Sequence, residues 1–353
     1  MKAFHCTHCQ NLVFFENVRC LSCERQLAYL PDRAVMAAIE PAGDGLWRAD
    51  GTREPPYRLC RNYEQHNVCN WAVPAGDPQP LCASCRLTHV IPDLASPENK
   101  LAWYRLEVAK RRLVYTLRGL KLPVSPRCNA GDGGLAFEFL DAPPGGGDPV
   151  LTGHDDGVIV INIAEADDVK REQQRQQQHE PYRTLLGHFR HEIGHYYWDR
   201  LIRSGTRLGQ FRRIFGDERA SYGECLRRHY ADGPPANWQV RFISAYAAVH
   251  PWEDWAESWA HFLLIADTLE TAGAAGLSLN PTRADEPALA PPEDPLAPQP
   301  TPFERMIEDW LPLTYVLNSL NRGLGLPDGY PFVLTPPILD KLRFIHETIY
   351  ASR

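Results

Sequence analysis

The chain has 353 residues, of which 44% are hydrophobic and 23% are charged, and its formal net charge is −7. This length predicts two or three domains with a sizeable core, and the composition excludes a disordered or fibrous protein. The negative charge argues against a broad basic surface for nucleic acid. The sequence shows no apolar run long enough to span a membrane and no signal-peptide segment, so we expect a cytoplasmic protein.

Eight of the ten cysteines lie in the first quarter of the chain, and in a reducing compartment such clustering favours metal binding over disulfides. The first four have the spacing Cys-x2-Cys-x10-Cys-x2-Cys, which predicts a structural zinc site. They are Cys6, Cys9, Cys20 and Cys23. The next four are spread more widely and predict a second structural zinc, with His66 as an alternative to Cys60 or Cys69. They are Cys60, Cys69, Cys82 and Cys85. Cys128 and Cys225 are interpreted as buried free thiols.

The cysteine-rich region shows no long helical or strand period and is divided into two predicted modules, 1–33 and 34–95. A second unit, 96–353, opens at Ser96, which precedes a proline and an early acid and so resembles a helix N-cap. The helix that follows is predicted to reach about Leu117. Residues 131–147 are rich in glycine and proline and predict a loop, whereas the β-branched run at 157–163 predicts a strand.

The rest of the second unit is predicted to be mainly helical. A tryptophan at every third or fourth position (Trp252, Trp255 and Trp259) predicts a helix whose apolar face lies in the core. The proline-rich segment 279–302 predicts a surface loop. The predicted helices span about 165–179, 181–203, 251–269, 303–321 and 338–350.

The pentapeptide from His191 to His195, which reads His-Glu-Ile-Gly-His, predicts a catalytic zinc site. Residues four apart lie on one face of a helix, so the two imidazoles can bind one ion. The zinc lowers the pKa of a bound water toward about 7, and Glu192 can then accept its proton as general base. His188, one turn earlier, is interpreted as a structural residue.

A catalytic zinc needs a third protein ligand, and Glu253 is the best candidate. Glu257 shares its helical face and suits a carboxylate that fixes a ligating histidine through the free ring nitrogen. The alternatives to Glu253 as the third ligand are Glu257 itself, Asp217, Glu218 and His261.

A tetrahedral intermediate also needs a hydrogen-bond donor for its developing oxyanion, and we assign this role to Tyr246. It lies seven residues before Glu253. The intervening His250 and Pro251 can interrupt the helix, so a shared face is not assured. Tyr222 and Tyr230 are the alternatives.

Four stretches carry a likeness to a known family: 69–71 with 82–85, His188 to Asp199, 216–219, and 250–261. With them the whole chain resembles bacterial zinc-binding metallopeptidases that have an N-terminal zinc-ribbon domain, which implies a gluzincin-like peptidase. The spacing of Tyr246, Glu253 and Glu257 also resembles the ligand region of anthrax lethal factor. That short resemblance implies Glu253 as third ligand, Glu257 as supporting acid and Tyr246 as transition-state donor.

The sequence therefore predicts an α+β protein: a mainly helical zincin-like metallopeptidase domain with a small sheet, preceded by small zinc-ribbon-like modules. It would bind one catalytic zinc and one or two structural zincs, and hydrolyse a protein or peptide substrate. The alternative is a zinc-ribbon adaptor that recruits protein or nucleic acid and has an inactive peptidase-like domain. The intact Glu192 argues against the adaptor. The zinc-ribbon region could bind a protein partner. We expect neither nucleic acid nor a membrane as a partner.

Overall fold

The structure is a computed structural model, which describes residues 2–52, 55–141, 150–177, 180 and 182–352. In these ranges a β-rich N-terminal region precedes a mainly helical region, so the predicted α+β class is confirmed. No helix within them is both long and apolar enough to cross a membrane.

A meander of five antiparallel strands forms most of the N-terminal region, in the order β3-β4-β5-β6-β7. A short hairpin, β1-β2, precedes it, and a single helical turn, α1, separates β6 from β7. The elements are β1 (Phe4–His5), β2 (Leu12–Val13), β3 (Gln26–Leu30), β4 (Val35–Gly43), β5 (Leu46–Ala49), β6 (Tyr57–Leu59), α1 (Arg61–Glu64) and β7 (Ala72–Pro74).

Sequence analysis missed this sheet because β3 and the first half of β4 bury consecutive side chains and so lack the alternation of a half-exposed strand. The sheet also pairs β3 with β4 across residue 33, from Leu30 opposite Val35 onward. The predicted modules 1–33 and 34–95 consequently share one sheet.

A second sheet has the order β10-β11-β9-β8 and joins the two regions, since β8 comes from the cysteine-rich part and pairs parallel with β9. β10 pairs antiparallel with β11, and β11 pairs parallel with β9. The strands are β8 (Thr88–Val90), β9 (Ala136–Leu140), β10 (Gly153–Asp155) and β11 (Val158–Asn162). β11 confirms the predicted strand. β9 corrects the predicted loop at 131–147, of which 142–147 lie outside the described residues.

The six predicted helices occur in the predicted order with shifts in their bounds, and two further short helices, Leu208–Ile214 and Tyr222–Asp232, were not predicted. Residues 178–179 of the predicted helix 165–179 lie outside the described residues. The motif helix begins at Leu185 rather than near 181, because the side chain of Thr184 accepts a hydrogen bond from the N–H of Gly187 and caps it. The tryptophan-bearing helix continues to Ala274. The helices are α2 (Pro97–Gly119), α3 (Asp168–Gln177), α4 (Leu185–Leu201), α5 (Leu208–Ile214), α6 (Tyr222–Asp232), α7 (Pro251–Ala274), α8 (Phe303–Gly323) and α9 (Pro336–Ala351). The predicted loop at 279–302 contains neither helix nor strand.

The central packing contact joins α4 to α7 at a glycine. A Cβ atom at Gly194 would lie 3.0 Å from Cα of Ala256 and 3.2 Å from Cβ of Trp259, so only glycine permits this approach without displacement. The indole N–H of Trp255 donates to the carbonyl of Gly194 at 2.8 Å. Trp255 and Trp259 are fully buried, as predicted, whereas Trp252 is only partly buried.

We predict that Gly194→Val destabilises the protein by about 1–3 kcal/mol, because the new side chain has to be accommodated between two packed backbones. Valine has a higher helix propensity than glycine, so helix propensity alone would predict the opposite sign. Chemical denaturation measures the effect. Gly209→Val is the matched control, since Gly209 is exposed and a Cβ there would meet only Arg213, at 3.9 Å. Equal stability of both variants would contradict the packing argument.

Candidate metal centre

The structure brings together two side chains of α4 and one of α7, whose ligand atoms all lie within 4.8 Å of one another: His191, His195 and Glu253. Nε2 of His191 lies 3.2 Å from Nε2 of His195. Oε2 of Glu253 lies 3.0 Å from the first of these nitrogens and 3.6 Å from the second. Three donors from two packed helices thus converge on one point.

The chemistry of this cluster fits a zinc ion. Glu253 is only 2% exposed, and its Oε2 atom is sealed from solvent with no hydrogen-bond partner. A buried carboxylate oxygen left unpaired is costly unless a cation compensates it. Two imidazoles and one carboxylate are also a donor set found in catalytic zinc sites. The unpaired oxygen is therefore at the position where a zinc ligand is needed.

The charges within the cluster compensate one another. Burial alone would raise the pKa of Glu253, but His195 and His191 outweigh it and hold that pKa well below its usual range. Burial likewise lowers the pKa of His191, yet the carboxylates of Glu253 and Glu257 raise it well above its usual value. The site thus favours a cationic partner for its carboxylates. A metal ion can replace the proton in that role, which makes metal affinity fall at low pH.

Glu257 lies behind His191, at the position expected of a supporting acid. Its Oε1 atom is 2.7 Å from Nδ1 of His191, the ring nitrogen that faces away from Glu253. Its Oε2 atom accepts a hydrogen bond from Oγ of Ser244 at 2.6 Å, and that Oγ in turn accepts from the N–H of Ala247 at 3.0 Å. No motif in the sequence pointed to Ser244, because its role depends only on the folded position of the loop.

Tyr246 also lies at the cluster, with its ring centroid 6.0 Å from that of His191. It belongs to a short 3₁₀ turn rather than to α7, since His250 caps α7 by accepting from the N–H of Trp252. Burial, followed by the charge of Glu253, raises the pKa of the Tyr246 hydroxyl far above its usual value. This hydroxyl consequently stays protonated and can donate a hydrogen bond.

Of the two alternative tyrosines, one contacts the cluster directly. The hydroxyl of Tyr222 donates to Oε1 of Glu253 at 2.8 Å. Burial, followed by the charge of Glu253, raises the pKa of Tyr222 as well. Tyr230 is 68% exposed, and no hydrogen bond links it to the three converging side chains in the described part of the chain.

The alternative third ligands are engaged elsewhere. Asp217 pairs with Arg219 at 2.7 Å, and Glu218 pairs with Arg212. His261 is a core residue whose Nδ1 lies 2.9 Å from the hydroxyl of Tyr330, and burial lowers its pKa to about 4.

Two further histidines near the motif have distinct surroundings. His188 pairs through Nδ1 with Glu165 at 3.2 Å, in agreement with its structural interpretation. His154 of β10, which sequence analysis missed, stacks on His195 with a centroid distance of 6.4 Å and accepts from the N–H of Gly157. Burial lowers the pKa of His154 to about 4, so a neutral ring borders the metal ligand.

Both predicted cysteine sets form compact clusters in which all Sγ atoms lie within 4.8 Å of one another. All their thiols are free of disulfides. In the second set, backbone N–H groups of Trp71, Cys82 and Cys85 donate to sulfur at 3.3–3.4 Å. Such contacts favour the thiolate form that binds zinc. His66 is not part of this set and packs against Trp103 instead.

The two remaining cysteines are free, as predicted, but they are not buried. Cys128 is exposed and Cys225 is half-buried. Cys128 lies in a turn that Asp132 stabilises through the N–H of Cys128, which keeps the segment at the surface. The expected burial is therefore wrong for both residues.

The second cysteine cluster is buried against α2 and its charged side chains. Sγ of Cys85 lies 3.8 Å from Oε2 of Glu107, which pairs with Lys110 at 2.8 Å in a fully buried ion pair. Arg111, also buried, donates to the carbonyl of Val68 next to Cys69. Four thiolates and one zinc ion carry a net negative charge. Glu107 already neutralises Lys110, so Arg111 is the cation that lowers the cost of burying this charge.

Fold and site together define a zinc-binding protein with a helical metallopeptidase-like region behind a cysteine-rich ribbon. A family described as "Putative zinc-binding metallo-peptidase" matches residues 99–348, and a zinc-ribbon domain matches residues 3–96. The chain belongs to this zinc-binding metallopeptidase family, with an N-terminal zinc-ribbon domain. The ribbon match includes both cysteine sets and the five-stranded sheet.

The chain is similar to uncharacterized proteins of Mycobacterium bovis and of two strains of Mycobacterium tuberculosis. Each is 43% identical over 350 residues, which cover 99% of this chain and 95% of the relative. The likeness thus extends over the ribbon and the peptidase region alike. No solved structure matches the chain.

We predict that native mass spectrometry finds three zinc ions, one for each of the three clusters. The double variant His191→Ala with His195→Ala should lose one zinc, and Cys82→Ser should lose another. The variant also removes a negative charge near the buried Arg111, so Cys82→Ser should lower the thermal midpoint as well. Cys128→Ser is the matched control and should keep all three ions, because Cys128 is exposed and outside both clusters. Full zinc content in the histidine variant would contradict the site on α4 and α7.

Proposed function

We propose that this protein is a zinc-dependent metallopeptidase that hydrolyses peptide bonds of a protein or peptide substrate. The observation that supports the proposal most is the convergence of His191, His195 and Oε2 of Glu253, with a free carboxylate, Glu192, beside them on α4. A structural zinc site is closed by four protein ligands, whereas a catalytic one keeps a position for water or substrate. Three donors and one adjacent base fit the catalytic kind.

Glu192 is the proposed general base. It is 8% exposed, and no described residue forms a hydrogen bond with its carboxylate. A zinc ion in the site would supply Lewis acidity, which lowers the pKa of a water and polarises the scissile carbonyl. Glu192 would accept the proton of the attacking water and deliver it to the leaving amine.

Tyr246 is the proposed donor to the oxyanion of the tetrahedral intermediate. Its raised pKa keeps the hydroxyl protonated, so that it can donate a hydrogen bond. A donor fixed by the 3₁₀ turn needs little reorganisation when charge develops on the substrate, which is the condition for effective electrostatic stabilisation.

If the protein were an adaptor with an inactive peptidase-like domain, the free carboxylate of Glu192 and the three zinc ligands beside it would have no role. A protein partner at the ribbon stays a prediction, to which the exposed Phe14 and Leu21, at 68% and 89%, add some support. These side chains could also present the substrate, so they do not distinguish the two functions.

A proteome-wide comparison of new peptide termini tests the proposal. Cells or lysates with the wild-type protein should contain termini that are absent with Glu192→Gln, because loss of a general base lowers the rate by about 10²–10⁴-fold. Glu308→Gln, a change at an acid with a 69% exposed side chain on α8, is the control and should match the wild type. Each protein must retain its zinc. Identical termini for wild type and Glu192→Gln would refute peptide hydrolysis at this site.

A further inference from the structure

Two hydroxyl groups outside α4 and α7 each bind one carboxylate of the metal centre. Tyr222 donates to Oε1 of Glu253 at 2.8 Å, and Ser244 donates to Oε2 of Glu257 at 2.6 Å. Both residues belong to the segment 217–249 between α5 and α7. The two acids of α7 are thus each held from this segment through the oxygen that is not paired with His191.

The contact of Tyr222 divides the two oxygens of Glu253 between different partners. Oε1 is occupied by the phenol, whereas Oε2 is sealed from solvent and lies 3.0 Å from Nε2 of His191 and 3.6 Å from Nε2 of His195. A carboxylate with two free oxygens can bind a metal ion through both of them. With one oxygen engaged, Glu253 offers a single donor.

Burial of an apolar face does not explain the position of Tyr222. α6 contains no buried residue, and Tyr222 is its first residue. The ring is held beside His250, with a centroid distance of 5.4 Å, and near Trp252. A half-buried phenol normally satisfies its hydroxyl with any nearby acceptor or with water. Here the acceptor is the carboxylate that completes the metal centre.

Ser244 acts on the other acid through a continuous set of hydrogen bonds. The N–H of Ala247 donates to Oγ of Ser244, whose hydroxyl donates to Glu257, and Glu257 accepts from Nδ1 of His191. This set fixes the orientation of the His191 ring and directs Nε2 at the point of convergence. Partners of this kind orient metal ligands and raise their basicity.

We propose that Tyr222 and Ser244 are positioning residues of the metal centre: Tyr222 restricts Glu253 to one donor oxygen, and Ser244 fixes Glu257 against His191. The inference rests on the proposed zinc site and adds the means by which segment 217–249 sets its geometry. With Glu253 held to one oxygen, the ion keeps a coordination position for water and substrate.

The two roles predict different effects. Tyr222→Phe removes one hydroxyl and keeps the ring, so it frees Oε1 and allows Glu253 to bind through both oxygens. The coordination number should rise without a loss of metal affinity. Ser244→Ala leaves the set of donors intact but loosens His191, so the metal should bind about 10-fold or more weakly with unchanged coordination.

Cobalt(II) replacement distinguishes these effects without any substrate. A chelator first removes the accessible metal of the full-length protein, and cobalt(II) is added while the zinc of the cysteine clusters is retained. Native mass spectrometry confirms that cobalt is bound and that the cysteine clusters keep their zinc. The absence of thiolate-to-cobalt absorption confirms that the cobalt has not entered a cysteine cluster. Visible absorption then reports coordination number, because cobalt absorbs more weakly as its ligand number rises. Competition with a chelator gives the metal affinity.

We expect Tyr222→Phe to give a weaker and shifted cobalt band, and Ser244→Ala to give the wild-type band with the reduced affinity. Tyr315→Phe and Ser319→Ala are the matched controls, because both residues are exposed on α8. They should match the wild type in band and affinity. Circular dichroism confirms that each variant is folded.

An unchanged band in Tyr222→Phe overturns the role of Tyr222, whatever its affinity, and an unchanged affinity in Ser244→Ala overturns the role of Ser244. These failures are distinct from failure of the metal centre itself. If the double variant His191→Ala with His195→Ala gave the wild-type cobalt band, or if the wild type bound no cobalt outside the cysteine clusters, the proposed zinc site would be wrong.

Discussion

The metal centre depends on the close approach of α4 and α7 at Gly194. Two helices can bring side chains from both backbones to one point only if their axes lie close together, and the missing side chain of Gly194 lets Ala256 approach to contact distance. The Trp255 indole fixes the same crossing by donating to the Gly194 carbonyl. The glycine lies within the histidine motif and Ala256 lies between Glu253 and Glu257, so packing and ligand geometry are set by the same few residues.

Burying acids along α7 is the second constraint, and each of these acids has a partner on a neighbouring helix. Glu253 and Glu257 have the histidines of α4, while Asp254 pairs with Lys341 of α9 at 2.7 Å. Burial raises the pKa of Asp254 to about 7 against the opposing effect of Lys341. Further along, Asp267 pairs with Arg190 of α4 and accepts a hydrogen bond from Thr116 of α2 at 2.5 Å. Because an unpaired buried charge is costly, these partners select one arrangement of the helices around α7.

The ribbon and the helical region are connected through α2. At one end of their contact, Glu107 and two buried cations of α2 lie beside the second cysteine cluster. Further along the helix, Thr116 contacts α7, and β8 of the cysteine-rich part pairs with β9 of the second sheet. Zinc in the second cluster would therefore stabilise the surface on which α2 rests as well as the ribbon itself. The predicted boundaries at 33 and 96 rest on composition and on the helix start at Ser96, and neither carries information on such pairing.

The sequence alone determined the features that depend on local spacing. It predicted the cysteine pairs, the two histidines and Glu192 on one helix, and Glu253 with Glu257 on another, because metal knuckles and helical faces follow from intervals of two to four residues. Only the tertiary structure decided that Glu253, rather than Asp217 or Glu218, converges with the histidines. It also placed Ser244, Tyr222 and His154 around them. These contacts join segments that are distant along the chain, and their geometry follows from helix packing and loop path, which no local pattern encodes.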